Sequence, residues 1–356
     1  MKHTGTIQQG NTYRKYIRFK QLFLLLMAAI VAVVALVAIG CGSSGLTIPQ
    51  VVQTLLGRGD KQSNVIVWNL RLPRTVTAIV GGIGLASVGC VMQSILRNPL
   101  ASSSTLGVSQ GAAFGAAFAI IALGAGMQHQ TLDGVGISNP YSVSVCAFIG
   151  SMLSTSVVLG LSRFKRITPQ TMILSGVALS SLFSGGTTLL QYFADDVKVA
   201  AVVFWTFGNL GSTSWREILI MTVVVTASMI YFMLNRWNYN ALQSGEDTAK
   251  GLGVNTNRFL LSSMVICSVT ASVIVSYCGI INFIGLIAPH LMRRVVGSDY
   301  RYLLPASALM GSVLLLLSDT VARLVVQPVV LPIGAITSFL GAPLFLYLIF
   351  KGGGRR

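Results

Sequence analysis

Charge is what this sequence has least of. Asp, Glu, Lys and Arg together make up 10% of its 356 residues, where a soluble domain carries roughly a quarter. That shortfall excludes an ordinary water-soluble fold and makes lipid the solvent for which the chain is built. Acids are scarcest, at nine against 25 basic residues. The five cysteines (Cys41, Cys90, Cys146, Cys267, Cys278) form no Cys-x-x-Cys pair and lie in or beside apolar segments without a His at ligand spacing. They read as small packing residues, and no metal site is expected. Missing too is the Gly-x-x-x-x-Gly-Lys-Ser/Thr loop that cradles nucleotide phosphates, so the chain is not itself an ATPase. The apolar runs hold no convergent set of His, Asp, Ser or Glu, which argues against a membrane-embedded enzyme.

What is there is apolar length. Hydrophobic residues make up 53% of the chain, and runs able to cross about 30 Å of hydrocarbon lie near 21–40, 75–95, 106–124, 141–161, 171–193, 218–235, 259–277, 279–296, 303–326 and 333–350. The fold class expected is therefore all-α, a polytopic membrane protein of about ten transmembrane helices. The eighth run is short and interrupted by Pro289 and His290. The first run follows a basic tail, and Ala38-Ile39-Gly40-Cys41 loosely resembles a lipoprotein cleavage box. A span of about 20 residues exceeds the 7–15 of a signal peptide's apolar region, so an uncleaved first helix is expected.

The net charge of +16 does not signal nucleic acid, because the basic residues are not gathered on one face among aromatics. They fall in clusters that alternate between membrane sides. With the N-terminus inside, 18 basic residues (the tail through Lys20, Arg97, Arg163–Arg166, Arg236, Lys250, Arg258, Arg293, Arg294, Arg301 and the C-terminal tail) face seven outside. That bias sets both termini in the cytoplasm. The organisation expected is a cytoplasmic tail over 1–20, a single permease domain over 21–350 and a second cytoplasmic tail over 351–356. Within the domain, 42–74 is an outer segment containing an amphipathic stretch (Ile48 to Leu56), and 236–258 is an inner polar loop. In that loop Gly245-Glu246-Asp247 reads as a helix start with acids at its positive end.

Glycines within the runs, as in Gly81-Gly82-x-Gly84 and Gly111-x-x-x-Gly115, suit close helix packing in lipid. Ser184-Gly185-Gly186 could instead kink the fifth run or line a path. His290 follows a proline and has no second ligand three or four residues on, so a hydrogen-bonded structural role is expected. Asp319 is an intramembrane acid and hence a functional candidate, although Arg323 lies one helical turn away. Arg71, Arg74 and Arg323 sit at predicted outer ends of runs, against the inside bias. Their planar forks could receive a partner's carboxylates or simply anchor helix ends at headgroups.

Specific strings then carry a resemblance. Arg71-Leu72-Pro73-Arg74, Gln93-x-x-x-Arg97-Asn98-Pro99-Leu100-Ala101, Leu106-Gly107-Val108-Ser109-x-Gly111-Ala112, Gly245-Glu246-x-x-Ala249-x-x-Leu252-Gly253, Phe283-Ile284-Gly285-Leu286-x-x-Pro289-His290, Asp319-x-x-Ala322-Arg323, Leu331-Pro332-Ile333-Gly334 and Gly341-Ala342-Pro343 resemble, in order, the FecCD family of permeases, relatives of the cobalamin permease. Such proteins carry ferric siderophores, haem or cobalamin. The resemblance implies a dimer of permease subunits, identical or paralogous, in a cytoplasmic membrane. Two cytoplasmic ATPase subunits, which bind the ATP and Mg, would sit below and an extracytoplasmic binding protein above; this chain would hold no cofactor. It further implies binding-protein docking at Arg71, Arg74 and Arg323, ATPase coupling through Gly245, Glu246, Ala249, Leu252 and Gly253, and an inner gate at Asn98 and Leu100. Iron chelate is the first substrate class expected, with cobalamin or haem as alternatives. The competing class is an ion-coupled secondary transporter, which needs acids near the bilayer midplane; Asp319 is the sole candidate.

Overall fold

The structure, a computed structural model, describes residues 3–42, 46, 48–125, 128–131, 134–137, 140–164, 169–327 and 329–353. In chain order the helices are α1 (His3–Gly40), α2 (Ile48–Leu55), α3 (Lys61–Asn64), a π-helical turn (Val65–Arg71), α4 (Leu72–Ile95), a 3-10 turn (Ser103–Leu106) and α5 (Val108–Ile121). A hairpin of β1 (Gln128–Thr131) and β2 (Gly134–Ile137) follows, antiparallel with Gln128 opposite Ile137. Then come α6 (Pro140–Phe164), α7 (Pro169–Tyr192), α8 (Asp196–Thr206), α9 (Trp215–Leu234), α10 (Arg236–Gln243), α11 (Glu246–Gly251), α12 (Thr256–Cys278), α13 (Ile284–Val296), α14 (Tyr300–Leu324) and α15 (Ile333–Gly353). Lys2, Lys165, Arg166, Arg355 and Arg356, which entered the charge-bias argument, lie outside the described residues.

The ten apolar runs map onto α1, α4, α5, α6, α7, α9, α12, α13, α14 and α15. Among the described residues, seven helical stretches are long and apolar enough to cross a bilayer; α5 and the apolar part of α15 are shorter. The third run is helical over only 14 residues, and the second extends backwards through α3 and the π-turn to Lys61. The eighth is helical only from Ile284. Pro289 does not interrupt it: the break is Gly279 to Phe283, where Gly279 (φ +71°) and Phe283 (φ +66°) both lie in the left-handed region and the Asn209 N–H bonds Cys278 O at 2.8 Å. Nor does Ser184-Gly185-Gly186 break α7, which is continuous.

At the centre, α4 and α14 run antiparallel. Arg74 meets Asp319 near one end, the Ser312 hydroxyl donates to Ile79 O at 3.0 Å midway, and the Tyr300 hydroxyl donates to Cys90 O at 2.7 Å near the other. Gly82 and Gly311 face each other across the seam so closely that a Cβ on either would strike the other's backbone. In lipid, where helices gain no hydrophobic energy by associating, such approach supplies the packing that holds them. Gly89 likewise packs on the Gly285 carbonyl of α13. Pro289, four residues on, has no N–H to bond that carbonyl, so the space is open to α4.

Candidate functional site

Arg71, Arg74 and Arg323 do come together, around the C-terminal end of α1. The last carbonyls of a helix have no partners within it, and the helix dipole favours cations there. Arg71 Nη1 donates to Ile39 O (2.6 Å) and Gly40 O (3.0 Å). Arg323 donates from Nη1 to Cys41 O (2.9 Å) and from Nη2 to Ala38 O (3.0 Å). Asp319 lies between α4 and α14 and takes Arg74 Nε on Oδ1 at 2.7 Å and Arg323 Nε on Oδ2 at 3.0 Å. The one-turn Arg323–Asp319 pairing is thus present, and Arg74 joins it from 245 residues away.

This differs from the expectation of three outward-standing forks. The Arg71 residue is 6% exposed, and the Arg74 and Arg323 side chains 13% and 10%. Sequence reasoning missed the reason: α1 ends between α4 and α14, and its carbonyls take up the donors. Asp319, 1% exposed and held by two arginines, is no free proton relay, which removes the residue on which an ion-coupled reading relied.

The other end of the same pair of helices carries the remaining candidates. Arg97, just past α4, has a left-handed backbone (φ +47°) that turns the chain into Asn98-Pro99-Leu100. There Asn98 Oδ1 accepts from the Leu100 N–H at 2.9 Å, a local turn that the side chain closes itself. Arg97 reaches Glu246 at 3.8 Å, and Glu246 also pairs with Lys250 at 2.9 Å. A cavity of about 430 Å³ opens between these segments, lined by Gln93, Ser94, Arg97, Leu242, Gly245 and Arg293 among others. The turn that carries the expected gate residues therefore neighbours the loop expected for coupling, through Arg97 and Pro99.

Gly245 (φ +121°) begins α11, with Glu246 and Asp247 in the first turn. Ala249 is fully buried, Leu252 is 69% exposed and Gly253 (φ +85°) ends the turn. The Glu246 carboxyl is held below its ordinary range by the hydrogen bond from Lys250, against partial burial and with help from the charges of Lys250 and Arg97. What the sequence did not reveal is how α10 is fixed. Asn240 Nδ2 donates to Asp299 Oδ1 (3.1 Å) and its Oδ1 accepts from the Tyr300 N–H (2.9 Å). Tyr239, fully buried, shares a 2.9 Å hydrogen bond with Ser263 and stacks at 5.2 Å on Tyr300. A buried tyrosine in an otherwise polar loop was the one available signal.

The profile of the FecCD transport family matches residues 28–351. The chain belongs to the FecCD transport family. It is similar over 95% of its length, and 97% of the relative's, to an ABC transporter permease protein of Methanocaldococcus jannaschii, at 51% identity. The hemin transport system permease protein of Yersinia pestis is 34% identical, covering 92% of this chain and 96% of its own. The Fe(3+)-citrate import system permease protein of Bacillus subtilis is also 34% identical, over 92% and 94%. Among solved structures, a metal-chelate type ABC transporter in an inward-facing conformation superposes with a TM-score of 0.82 at 31% identity, over 93% of this chain and 99% of that one. As a FecCD protein the chain is a multi-pass ABC transporter permease.

His290 remains unassigned. Its Nε2 is buried without a hydrogen-bond partner among the described residues, and its ring meets Phe345 edge-on at 6.3 Å. The structural hydrogen bond expected for it is not made from Nε2.

Proposed function

We infer that this FecCD chain is the permease subunit of an ATP-driven importer, translocating an iron chelate, a ferric siderophore first, across a cytoplasmic membrane with both termini inside. Haem or cobalamin would use the same machinery. The observation that carries the reading is that one antiparallel pair, α4 and α14, has the arginine cluster at one end and the α10–α11 platform at the other, in a family whose relatives are named for hemin and Fe(3+)-citrate transport. An extracytoplasmic binding protein docks over Arg71, Arg74 and Arg323. Two ATPase subunits, holding ATP and Mg, grip Gly245 to Gly253 with Leu252 as the exposed apolar contact. Asn98 and Leu100, beside that contact, form the inner gate, so nucleotide-driven closure reaches the gate through Arg97 and Glu246.

The path runs between two permease copies by alternating access. The support is α7, whose outward face is not uniformly apolar: Thr171, Ser181, Ser184, Gly185 and Thr188 are all exposed. Hydroxyls and a bare backbone are poor lipid contacts and good walls for a polar cargo.

The deciding experiment reconstitutes the permease with its ATPase and binding protein in liposomes and measures uptake of a radiolabelled ferric siderophore. Uptake requiring both ATP and binding protein supports the reading. Uptake driven by a proton or sodium gradient without ATP refutes it.

A further inference from the structure

At the end of α4 opposite the Asp319 cluster, two further arginines line one cavity and lack acceptors. Arg97 lies in the turn after α4 and Arg293 in the last turn of α13, and both border the space of about 430 Å³. Among the described residues neither guanidinium makes a hydrogen bond, and Arg293 is in no ion pair. Arg97 meets Glu246 only at 3.8 Å, and that carboxylate is already held by Lys250 at 2.9 Å. The cavity wall therefore carries excess positive charge. Its buried side asks for the opposite chemistry. Gln93, 4% exposed, donates from Nε2 to Leu286 O at 3.3 Å, which fixes the amide so that Oε1 is its acceptor; Oε1 is buried with no donor among the described residues. A buried acceptor left bare is costly, and a ligand or water that donates to it removes the cost. Ser244 and Ser298, also in the lining, are exposed, so the cavity opens to water.

Two forks that donate and one amide that accepts match few small anions. Chloride, sulfate and ionised carboxylates have no proton to give near neutral pH. Inorganic phosphate has both parts, charged oxygens for the arginines and a P–OH that stays protonated. We propose that this cavity is a binding site for inorganic phosphate. Its charged oxygens bridge Arg97 and Arg293, and its P–OH serves Gln93 Oε1 directly or through one water. Bound there, the anion joins the end of α4 to the end of α13 beside the α10–α11 platform. The meaning of the site, though not its existence, rests on the permease reading, because ATP hydrolysis by a partner subunit releases this same anion on that side.

The test dialyses the permease chain, in nanodiscs of zwitterionic lipid, against radiolabelled inorganic phosphate near neutral pH at constant ionic strength. Thermal midpoints are measured alongside, in phosphate and in sulfate. The native chain is expected to bind phosphate saturably, one per chain, and phosphate to raise its midpoint more than sulfate does. Arg97→Gln and Arg293→Gln, each still melting cooperatively, are expected to weaken binding about tenfold or more, as loss of a charge-assisted hydrogen-bond partner does. Gln93→Leu is expected to keep anion binding but lose the preference for phosphate over sulfate, which a merely structural glutamine would not alter. Arg58→Gln, which removes an exposed arginine of the outer segment, is expected to bind as the native chain does. Absence of saturable binding, native affinity in Arg97→Gln or Arg293→Gln, or an equal loss in Arg58→Gln overturns the proposal. A preference for phosphate that survives Gln93→Leu overturns the part given to Gln93. Uptake in liposomes that needs no ATP overturns the permease reading and leaves the binding result standing.

Discussion

At the scale of single residues, three of the chain's few charges hold the end of α1 to its neighbours. Asp319 balances two arginines, and Arg71 and Arg323 satisfy four carbonyls at the end of α1. Removing one partner of a buried ionic cluster leaves the others uncompensated and costs about 3–5 kcal/mol. Asp319→Ala is therefore expected to lower the denaturant midpoint in detergent by more than Asp195→Ala, whose exposed carboxylate caps the first turn of α8 and meets Lys198 at 3.4 Å, where water screens the pair. Gly89→Ala is the apolar counterpart. Its methyl group would collide with the Gly285 carbonyl, and forcing α4 off α13 is expected to cost about 1–3 kcal/mol, read as a drop in thermal midpoint. The arginine positions were legible from their placement at run ends and from the motif strings. The pairing of Arg323 with Asp319 was legible too, from its one-turn spacing, whereas the carbonyls that Arg71 and Arg323 cap were not, because they lie at the end of α1, more than 30 residues away in sequence.

At the scale of elements, α10 and α11 act as one bracket on the helix pair. Asn240 makes two side-chain bonds that join α10 to the start of α14, and Asn240→Ala removes one partner each from the Tyr300 N–H and Asp299. The expected result is a lower ratio of substrate moved to ATP hydrolysed, measured in liposomes, with the spans still folded. Glu246 adds a pH dependence to α11. Its folded value lies below the ordinary glutamate value, so its stabilising contribution is complete above the usual glutamate range, about 4.3, and is lost as pH falls through the lowered folded value. Amide exchange in α11, corrected for intrinsic rate, is expected to quicken below that point in the native chain and to show no such step in Glu246→Gln. The sequence marked α11 through Gly245 and its acidic first turn. It left α8 and the β hairpin unmarked, because α8, capped by Asp195, has only 11 residues, too few for a span, and the hairpin strands are four residues each.

At the scale of the whole molecule, α7 is buried along only 11% of its most apolar stretch, against 83% for the stretch containing α4. One helix is the core of the subunit and the other a surface that carries hydroxyls. If α7 meets a second copy, Ser181→Cys is expected to give dimers with a short bifunctional thiol reagent in membranes. Leu22→Cys on the exposed side of α1, where the native leucine is 65% exposed, is expected to remain monomeric. Equal cross-linking at both positions would deny α7 a special place.

Solvent class, helix number and family were determined by the sequence alone, because each depends on quantities that a linear string carries: apolar run length, charge scarcity and ordered motifs. The number of helices held even where their lengths did not. The third and eighth runs proved short because positive-φ positions at Gly107, Gly279 and Phe283 end or delay helices that hydropathy alone continues. Only the tertiary structure decided that Arg97 and Pro99, on either side of Asn98, line one cavity with Gly245, that Pro289 stays helical while opening a carbonyl to Gly89, and that Arg71 and Arg323 spend donors on the end of α1 while Arg74 meets Asp319. Those outcomes turn on which backbone groups lack partners once the helices are packed, and a backbone group's partner is fixed by approach in space rather than by spacing along the chain.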